Sequence, residues 1–301
     1  MKRKIIKLGN ATLVTSLPSK WVKKYGLKQG DEIDIDEQER SLQLSTAKSF
    51  QMSKTEIDVT TIDLLMKRIV VARYLAGYDV IRIKIDSIEK ARTIQKRAKD
   101  LIGMEVVNQG KDFVELKEIS YINEESFEPM LRRVFLLLLT ISEESEKAIF
   151  ASQTDLEYIK DMEQNVNNFT DYCFRILNKR GYSKYNKTPD VYCVVNNLEF
   201  IGDDYKKLVS YITDNNLKLS KENKNLYAKI NKLLRELYEI YYKYSDDKAI
   251  ALAEHRDEII KTIETATNKT KSVKEAVLLQ KFYNITELII NVLGHILIIQ
   301  S

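Results

Sequence analysis

Apolar and polar residues follow a helical period over most of the C-terminal part of the chain. From Phe127 onward, apolar residues recur every three or four positions. This pattern predicts six helices near 127–150, 154–180, 188–215, 222–245, 247–267 and 272–300. The polar stretch DNNLKLSKEN separates them into two sets of three. Because the third and sixth helices are both apolar with a central polar stripe, we expect a weak internal repeat.

The last of these helices raises the question of a membrane span, because residues 276–300 are strongly apolar. Its polar residues, however, recur at spacings of four, three, four and four: Gln280, Asn284, Glu287, Asn291 and His295. At 100° per residue they share one narrow face. A lipid-spanning helix rarely carries such a stripe, so the pattern predicts an amphipathic bundle helix and no membrane insertion.

Residues 54–122 mix the two periods. The sequence predicts a helix over 63–77, a strand over 78–85, a second helix over 87–103, and a strand pair over 104–119. Two helices against a small sheet form an α+β layer.

The first 47 residues predict a small β-rich domain. Strands are expected over 4–9, 11–17, 31–36 and 39–45, with a polar turn at 37–39. A short helix follows Pro18 and is closed by Gly26. So few residues build a poor core, and we therefore expect the domain to pair with a second copy of itself.

Charge adds a functional indication to this first domain. With 44% apolar and 31% charged residues the chain is globular rather than disordered, and its formal net charge is only +4. Residues 1–28 nevertheless contain eight Lys and Arg and no acid, whereas residues 51–301 contain 38 of each sign. Such an asymmetry is typical of a nucleic-acid contact; the alternative is a solvated face that keeps the domain soluble.

Candidate chemistry elsewhere is sparse. Cys173 and Cys193 have neither disulfide nor metal spacing and lie in apolar helical patterns, so buried free thiols are expected. Tyr238, Tyr241 and Tyr242 have helical spacing that favours a core or an interface over base stacking. No nucleotide-binding glycine pattern, HExxH or GxSxG motif occurs. We therefore expect a protein that is not an enzyme. No signal-peptide pattern precedes the first basic strand, so a cytoplasmic location is expected.

The segment LGNATLVTSLPSKWVKKYGLKQGDEIDI resembles the AbrB/SpoVT swapped-hairpin DNA-binding domain. The resemblance implies an intertwined homodimer that binds double-stranded DNA. It departs from the family in a longer loop, NATLVTS, and in the absence of the loop arginine. The family's basic strand, loop and helix map onto seven residues, which are the predicted DNA contacts: Arg3, Lys4, Lys7, Asn10, Lys20, Lys23 and Lys24.

The segment NNLEFIGDD carries the second resemblance. Glu199 and Asp203 are four residues apart on the third helix, so both carboxylates project from one face, as on many solvated helices. Gly202 is unfavourable inside a helix and predicts close approach by a neighbouring helix. The third and sixth helices resemble the signature helices of PhoU-type phosphate-signalling proteins, which implies a divalent or iron-type metal ion at Glu199 and Asp203. In the sixth helix Gln280 and Asn284 occupy the carboxylate positions, so a second site is expected to be lost.

Together these observations predict a mainly α protein: a swapped-hairpin β domain over 1–47, a small α+β domain over 54–122, and a PhoU-like helical region of two three-helix bundles over 127–301. The leading hypothesis is a dimeric DNA-binding transcription regulator of phosphate uptake. One alternative is a cytoplasmic adaptor that regulates a phosphate transporter or sensor kinase without binding DNA. A second is an antitoxin-like module, which the long folded remainder of the chain disfavours.

Overall fold

The computed structural model describes residues 1–38, 41–46, 52–120, 126–151 and 156–301. The chain divides into two compact units, Met1–Lys54 and Thr55–Ser301. Short strands and one short helix form the first unit; a small α+β region and six long helices form the second. The predicted mainly α fold class is confirmed.

The first unit contains two hairpins and a helix. Strand β1 (Ile6–Leu8) pairs antiparallel with β2 (Thr12–Val14), and Gly9 turns the chain between them at a φ of 65° that favours glycine. Helix α1 (Ser19–Lys24) follows Pro18 and ends just before Gly26, whose φ is 60°. Strands β3 (Asp34–Gln38) and β4 (Ser41–Ser45) form the second hairpin.

Two local predictions in this unit were wrong. The longer loop expected over NATLVTS is not present, because residues 12–14, within the strand expected over 11–17, pair with residues 6–8. Residues 37 and 38 of the turn expected at 37–39 belong instead to β3, and Gln38 pairs with Ser41. Glu39 lies outside the described residues.

Among the residues of the first unit whose burial the structure describes, none is buried, so they form no core of their own. Six of its large aliphatic side chains are more than half exposed: Ile5, Ile6, Leu8, Leu13, Ile35 and Leu42. Apolar strands that bury nothing gain no hydrophobic stabilisation within one chain.

The α+β region of the second unit has a four-stranded sheet in the order β5-β6-β8-β7. The elements are β5 (Lys54–Asp58), α2 (Met66–Leu75), β6 (Val80–Lys84), α3 (Ile88–Ala98), β7 (Met104–Gln109) and β8 (Phe113–Glu118). Strand β8 pairs antiparallel with both β6 and β7. The helices bury Val70, Tyr74 and Ile94 against Ile81 and Ile83 of the sheet. Only β5 was missed from the sequence.

Six helices follow: α4 (Phe127–Ala151), α5 (Leu156–Arg180), α6 (Thr188–Asp214), α7 (Lys221–Tyr242), α8 (Asp246–Lys269) and α9 (Val273–Gln300). Each lies within three residues of its predicted bounds. The last three begin at serines, Ser220, Ser245 and Ser272, whose hydroxyls accept hydrogen bonds from backbone N–H groups of the first turn.

The third helix of each set lies at the centre of the bundle. Helices α6 and α9 share the most extensive helix–helix contact, with α4 and α5 packed on α6 and with α7 and α8 packed on α9. At Gly202 of α6, a Cβ atom would lie 3.2 Å from Leu138 and 3.3 Å from Val166. The close approach predicted from this glycine is therefore present.

Helix α9 is long and apolar enough to cross a membrane by length and composition. In the structure one face of this helix, which includes Phe282, Ile285 and Ile289, is buried in the bundle core. Gln280, Asn284 and Asn291 of the predicted polar stripe are exposed, while Glu287 and His295 are half-buried. The helix packs as the amphipathic pattern predicts for a bundle helix.

A buried ion network joins the α+β region to α5. The guanidinium of Arg175, fully buried, lies 3.2 Å from Glu118 and 3.5 Å from Asp79 and donates to the Tyr74 carbonyl at 2.6 Å. Lys179 pairs with the same two carboxylates. Such a network holds two elements in one arrangement, because separating them would leave buried charges without a partner of opposite sign.

Candidate functional site

The predicted DNA-contacting residues all lie at the surface of the first unit. Arg3 and Lys4 precede β1, Lys7 lies within it opposite Leu13, and Asn10 lies in the turn. Lys20, Lys23 and Lys24 belong to α1. All seven residues are exposed. Six of them are cations, and none of these forms an ion pair with a residue in the described part of the chain. Their charge is thus available to an external anion.

An aromatic pair lies on the same short helix. The rings of Trp21 and Tyr25 are 5.6 Å apart between centroids, and the Lys24 ammonium lies 5.2 Å from the Tyr25 ring centroid. Both aromatic residues are half-buried. They support the base of the helix while its lysines face outward.

The predicted metal ligands Glu199 and Asp203 project from α6 beside Glu163 of α5. A lysine forms ion pairs with two of these three carboxylates. The Lys206 ammonium lies 2.7 Å from Glu163 and 2.8 Å from Asp203. Lys207 approaches Asp203 at 3.5 Å. Within the described ranges, no group of three or more His, Cys, Asp and Glu side chains is arranged to hold a metal ion. The metal site stays a prediction.

The acids of this cluster differ in how readily they ionise. Burial, followed by the charges of Asp171, Asp203 and Glu163, raises the pKa of Glu199 to about 7. Burial also raises the pKa of Glu163, although Lys206 opposes it. At Asp203 burial is outweighed by hydrogen bonds with Lys206 and Glu163, so its pKa is lowered. The negative charge is therefore concentrated on Asp203, next to the lysines.

The corresponding positions of α9 are the amides Gln280 and Asn284, which bond to each other. Gln280 donates to Asn284 at 2.9 Å, and both side chains are exposed. The two amides hydrogen-bond each other and carry no charge, so they are poor ligands for a hard cation.

A cavity of about 730 Å³ opens beside Glu199, between the α+β region and the bundle. Its first wall comes from α2 and α3, which contribute Lys67, Arg68, Lys96 and Arg97. The first three are exposed and form no ion pair with any residue in the described ranges. This wall is consequently strongly basic.

The opposite wall, from α5 and α6, is acidic, amide-bearing and aromatic. It includes Asp171, Asn196 and Glu199, together with the rings of Phe174 and Tyr192, whose centroids are 4.5 Å apart. Arg97 joins the two walls by pairing with Asp171 at 3.1 Å. Burial nevertheless raises the pKa of Asp171 to about 6 and outweighs the attraction of Arg97, which Asp100 also shares at 3.1 Å.

Sequence reasoning missed this cavity. Thr93, Lys96 and Arg97 of α3 and Asp100 just after it have helical spacing, but a polar stripe facing a cavity has the same period as one facing solvent. The available signal was Asp171, which with Arg175 places a charged residue in the run from Thr170 to Leu177, where every position is buried.

The other candidates are parts of the core. Tyr238, Tyr241 and Tyr242 surround Phe135 with ring centroids at 5.8, 5.1 and 6.0 Å, as their spacing predicted. Cys173 is buried and Cys193 half-buried, and both are free. Burial raises the pKa of the Cys173 thiol, which makes it unreactive.

Comparison with known proteins gives little. The chain matches no protein-family model, and no curated protein matches it. Among solved structures, the crystal structure of the phosphate transport system regulatory protein PhoU from Streptococcus pneumoniae is similar, with a TM-score of 0.48 and 15% sequence identity. The similarity covers 59% of this chain and 95% of that one.

Proposed function

We propose that this chain is a non-catalytic cytoplasmic regulator of phosphate uptake, in which the helical region acts as an adaptor for a phosphate transporter subunit or a sensor kinase. The arrangement that carries the proposal is two sets of three helices with α6 and α9 paired at the centre. The sequence of α6 adds the Glu199 and Asp203 pattern of PhoU-type proteins. In this proposal the chain consists of a first domain over 1–47, a second over 54–122 and the helical domain over 127–301.

The adaptor function is tested by measuring binding of the full chain to two candidate partners. These are the transporter's ATP-binding subunit and the cytoplasmic part of the sensor kinase. A contact made by apolar side chains persists at high salt, where surface charges are screened. Leu297 and Ile298 are adjacent exposed residues on α9, at 43% and 47%, and Leu297→Gln is expected to weaken binding. Leu136→Gln on α4, also 43% exposed, is the matched control. Absence of binding to either partner would contradict the adaptor function.

A second candidate function is binding of double-stranded DNA by the first unit, as the AbrB/SpoVT resemblance implies. The observation that favours it is the set of exposed cations on β1 and α1 without ion-pair partners in the described residues. Cations of this kind bind phosphates and position a protein on DNA.

Titration of duplex DNA from the gene's own upstream region, at several salt concentrations, tests this candidate. The slope of log affinity against log salt is expected to become shallower by about 0.9 for each phosphate that a Lys20/Lys23/Lys24→Ala variant no longer neutralises. A Lys218/Lys221/Lys229→Ala variant makes the same charge change at exposed positions of the second unit. Equal weakening in both variants, or no binding at low salt, rules out a DNA-binding α1.

The same unit supports a homodimer. Because no side chain of Met1–Lys54 whose burial the structure describes is buried, the exposed aliphatic residues of β1 to β4 need a covering surface. A second copy of the two hairpins supplies one of matching chemistry. Dimerisation would also double the number of α1 lysines available to one duplex.

A further inference from the structure

The cavity between α2 and α3 on one side and α5 and α6 on the other is not used by either proposed function. At about 730 Å³ it falls within the size range of small-molecule sites, roughly 300–1,000 Å³. All its walls belong to the second unit, in which α5 is joined to the α+β region by the Arg175 network. A built cavity of this size suits a metabolite rather than a peptide or a nucleic acid.

The charges on the basic wall are not matched from within the described protein. Lys67 and Arg68 lie one after the other at the start of α2, and Lys96 projects from α3 into the same cavity. Arg97, by contrast, is already paired with Asp100 and Asp171. Three cations converging without partners favour a ligand that carries more than one negative charge, such as a phosphate group.

The opposite wall argues against a bare phosphate ion. Asp171 and Glu199 are acceptors in their ionised form, and Asn196 both donates and accepts, so this wall suits hydroxyl and amino groups. Phe174 and Tyr192 add a pair of rings, of which Tyr192 is half-buried and Phe174 is buried. An aromatic surface of this kind can pack against a planar heterocycle.

We propose that this cavity binds a nucleoside phosphate. The phosphate lies against Lys67, Arg68 and Lys96, while the sugar hydroxyls and the base face Asp171, Asn196 and Tyr192. The chemistry on the two walls is complementary to the two ends of such a ligand, and neither end alone satisfies both walls. This inference goes beyond the proposed function, because it requires neither DNA nor a protein partner.

Calorimetric titration of the full chain with AMP, GMP, CMP and UMP tests the proposal, with adenosine and inorganic phosphate as the two half-ligands. We expect at least one nucleotide to bind one site per chain with a Kd below about 1 mM. Adenosine and phosphate, each lacking one end, are expected to bind the site at least about tenfold more weakly than AMP if AMP is the ligand. For another nucleotide, its own nucleoside replaces adenosine.

The variant that identifies the site is Arg68→Gln/Lys96→Gln, which removes two charges from exposed side chains and leaves the core intact. It is expected to weaken nucleotide binding at least about tenfold. Lys221→Gln/Lys229→Gln makes the same charge change on exposed positions of α7 and is expected to leave the Kd unchanged. Circular dichroism of both variants verifies that the helices are retained.

Three results overturn the proposal. The first is no binding of any of the four nucleotides at millimolar concentration. The second is an equal loss of affinity in the two double variants, which would mean a general effect of charge. The third is tight binding of inorganic phosphate alone, which would make the cavity an anion site without a role for its acidic and aromatic wall.

Discussion

Arg175 shows how much a single side chain contributes to joining the α+β region to the bundle. It is the largest fully buried side chain among the described residues, and it faces Asp79 and Glu118. Lys179 alone cannot neutralise both of these acids, and burial already raises the pKa of Glu118. The network is therefore sensitive to the loss of one cation.

Arg175→Met is expected to lower the free energy of unfolding by about 3–5 kcal/mol, because it leaves buried carboxylates without sufficient positive charge. Urea denaturation measures this loss. Arg92→Met, at an exposed position of α3, is expected to change stability by less than about 0.5 kcal/mol. The double variant Arg175→Met/Glu118→Gln tests the coupling. If it lowers the free energy of unfolding by the sum of the two single changes, the two residues are not coupled.

Asp171 gives a pH dependence of known sign. Its pKa is raised from 3.8 to about 6, so the folded chain holds this proton more tightly than the unfolded chain does. The stabilisation is complete below about pH 4 and is lost as the pH rises through 6, amounting to about 3 kcal/mol at 1.36 kcal/mol per pKa unit.

Asp171→Asn is therefore expected to remove this fall in unfolding free energy between pH 4 and 6. Urea titrations at a series of pH values compare the variant with the unmodified chain. Asp161→Asn, an exposed position on the same helix, is expected to retain the fall. A parallel pH profile for Asp171→Asn and the unmodified chain would show that Asp171 titrates normally.

At the scale of the element, two glycines inside long helices differ in their surroundings. Gly294 of α9 has nothing within 4 Å of an added Cβ, whereas at Gly202 of α6 the added atom meets Leu138 and Val166 at 3.2 and 3.3 Å. Both of those neighbours are fully buried and have little room to move. The same substitution should thus have opposite effects.

Gly294→Ala is expected to raise the free energy of unfolding by about 1 kcal/mol, the difference in helix propensity. Gly202→Ala is expected to lower it by about 1 kcal/mol, because overpacking costs more than the improved propensity contributes. Thermal and urea denaturation of the two variants form a matched pair. A rise in both would mean that α4 and α5 can move away from α6.

Two independent sequence signals are present for the long helices. The 3.6-residue period predicted their cores, and the capping serines at the start of α7, α8 and α9 are a second signal that the prediction did not use. Strand β5 offered neither signal, since Ile57 is its single buried residue. The segment NATLVTS was assigned both to a strand over 11–17 and, through the family resemblance, to a longer loop; the left-handed conformation of Gly9 permits the tight turn and the strand.

The candidate sites were less predictable than the fold. Lys20, Lys23 and Lys24 could be found because their helix is isolated in the sequence and its charge is one-sided. The role of Lys206 between Glu163 and Asp203 could not, since it depends on the packing of α5 against α6. The cavity depends on four helices distant in sequence, and no local pattern records how they meet.

At the scale of the whole molecule, the exposed strands of the first unit predict that a polar substitution on them changes the oligomeric state. Ile35 of β3 and Ile250 of α8 are both 57% exposed. If the first unit dimerises through its strands, Ile35→Gln is expected to shift the molar mass from dimer toward monomer, while Ile250→Gln leaves it unchanged. Light scattering coupled to size-exclusion chromatography measures the mass. A monomeric unmodified chain would contradict the proposed homodimer.

The position of Trp21 has a spectroscopic consequence. It is the only tryptophan in the 301 residues, so selectively excited indole emission originates entirely from α1 of the first unit. Far-ultraviolet ellipticity, in contrast, arises overwhelmingly from the six long helices. The unmodified chain therefore carries two separate optical reporters, and following both during denaturation or ligand addition assigns each event to one unit without any attached dye.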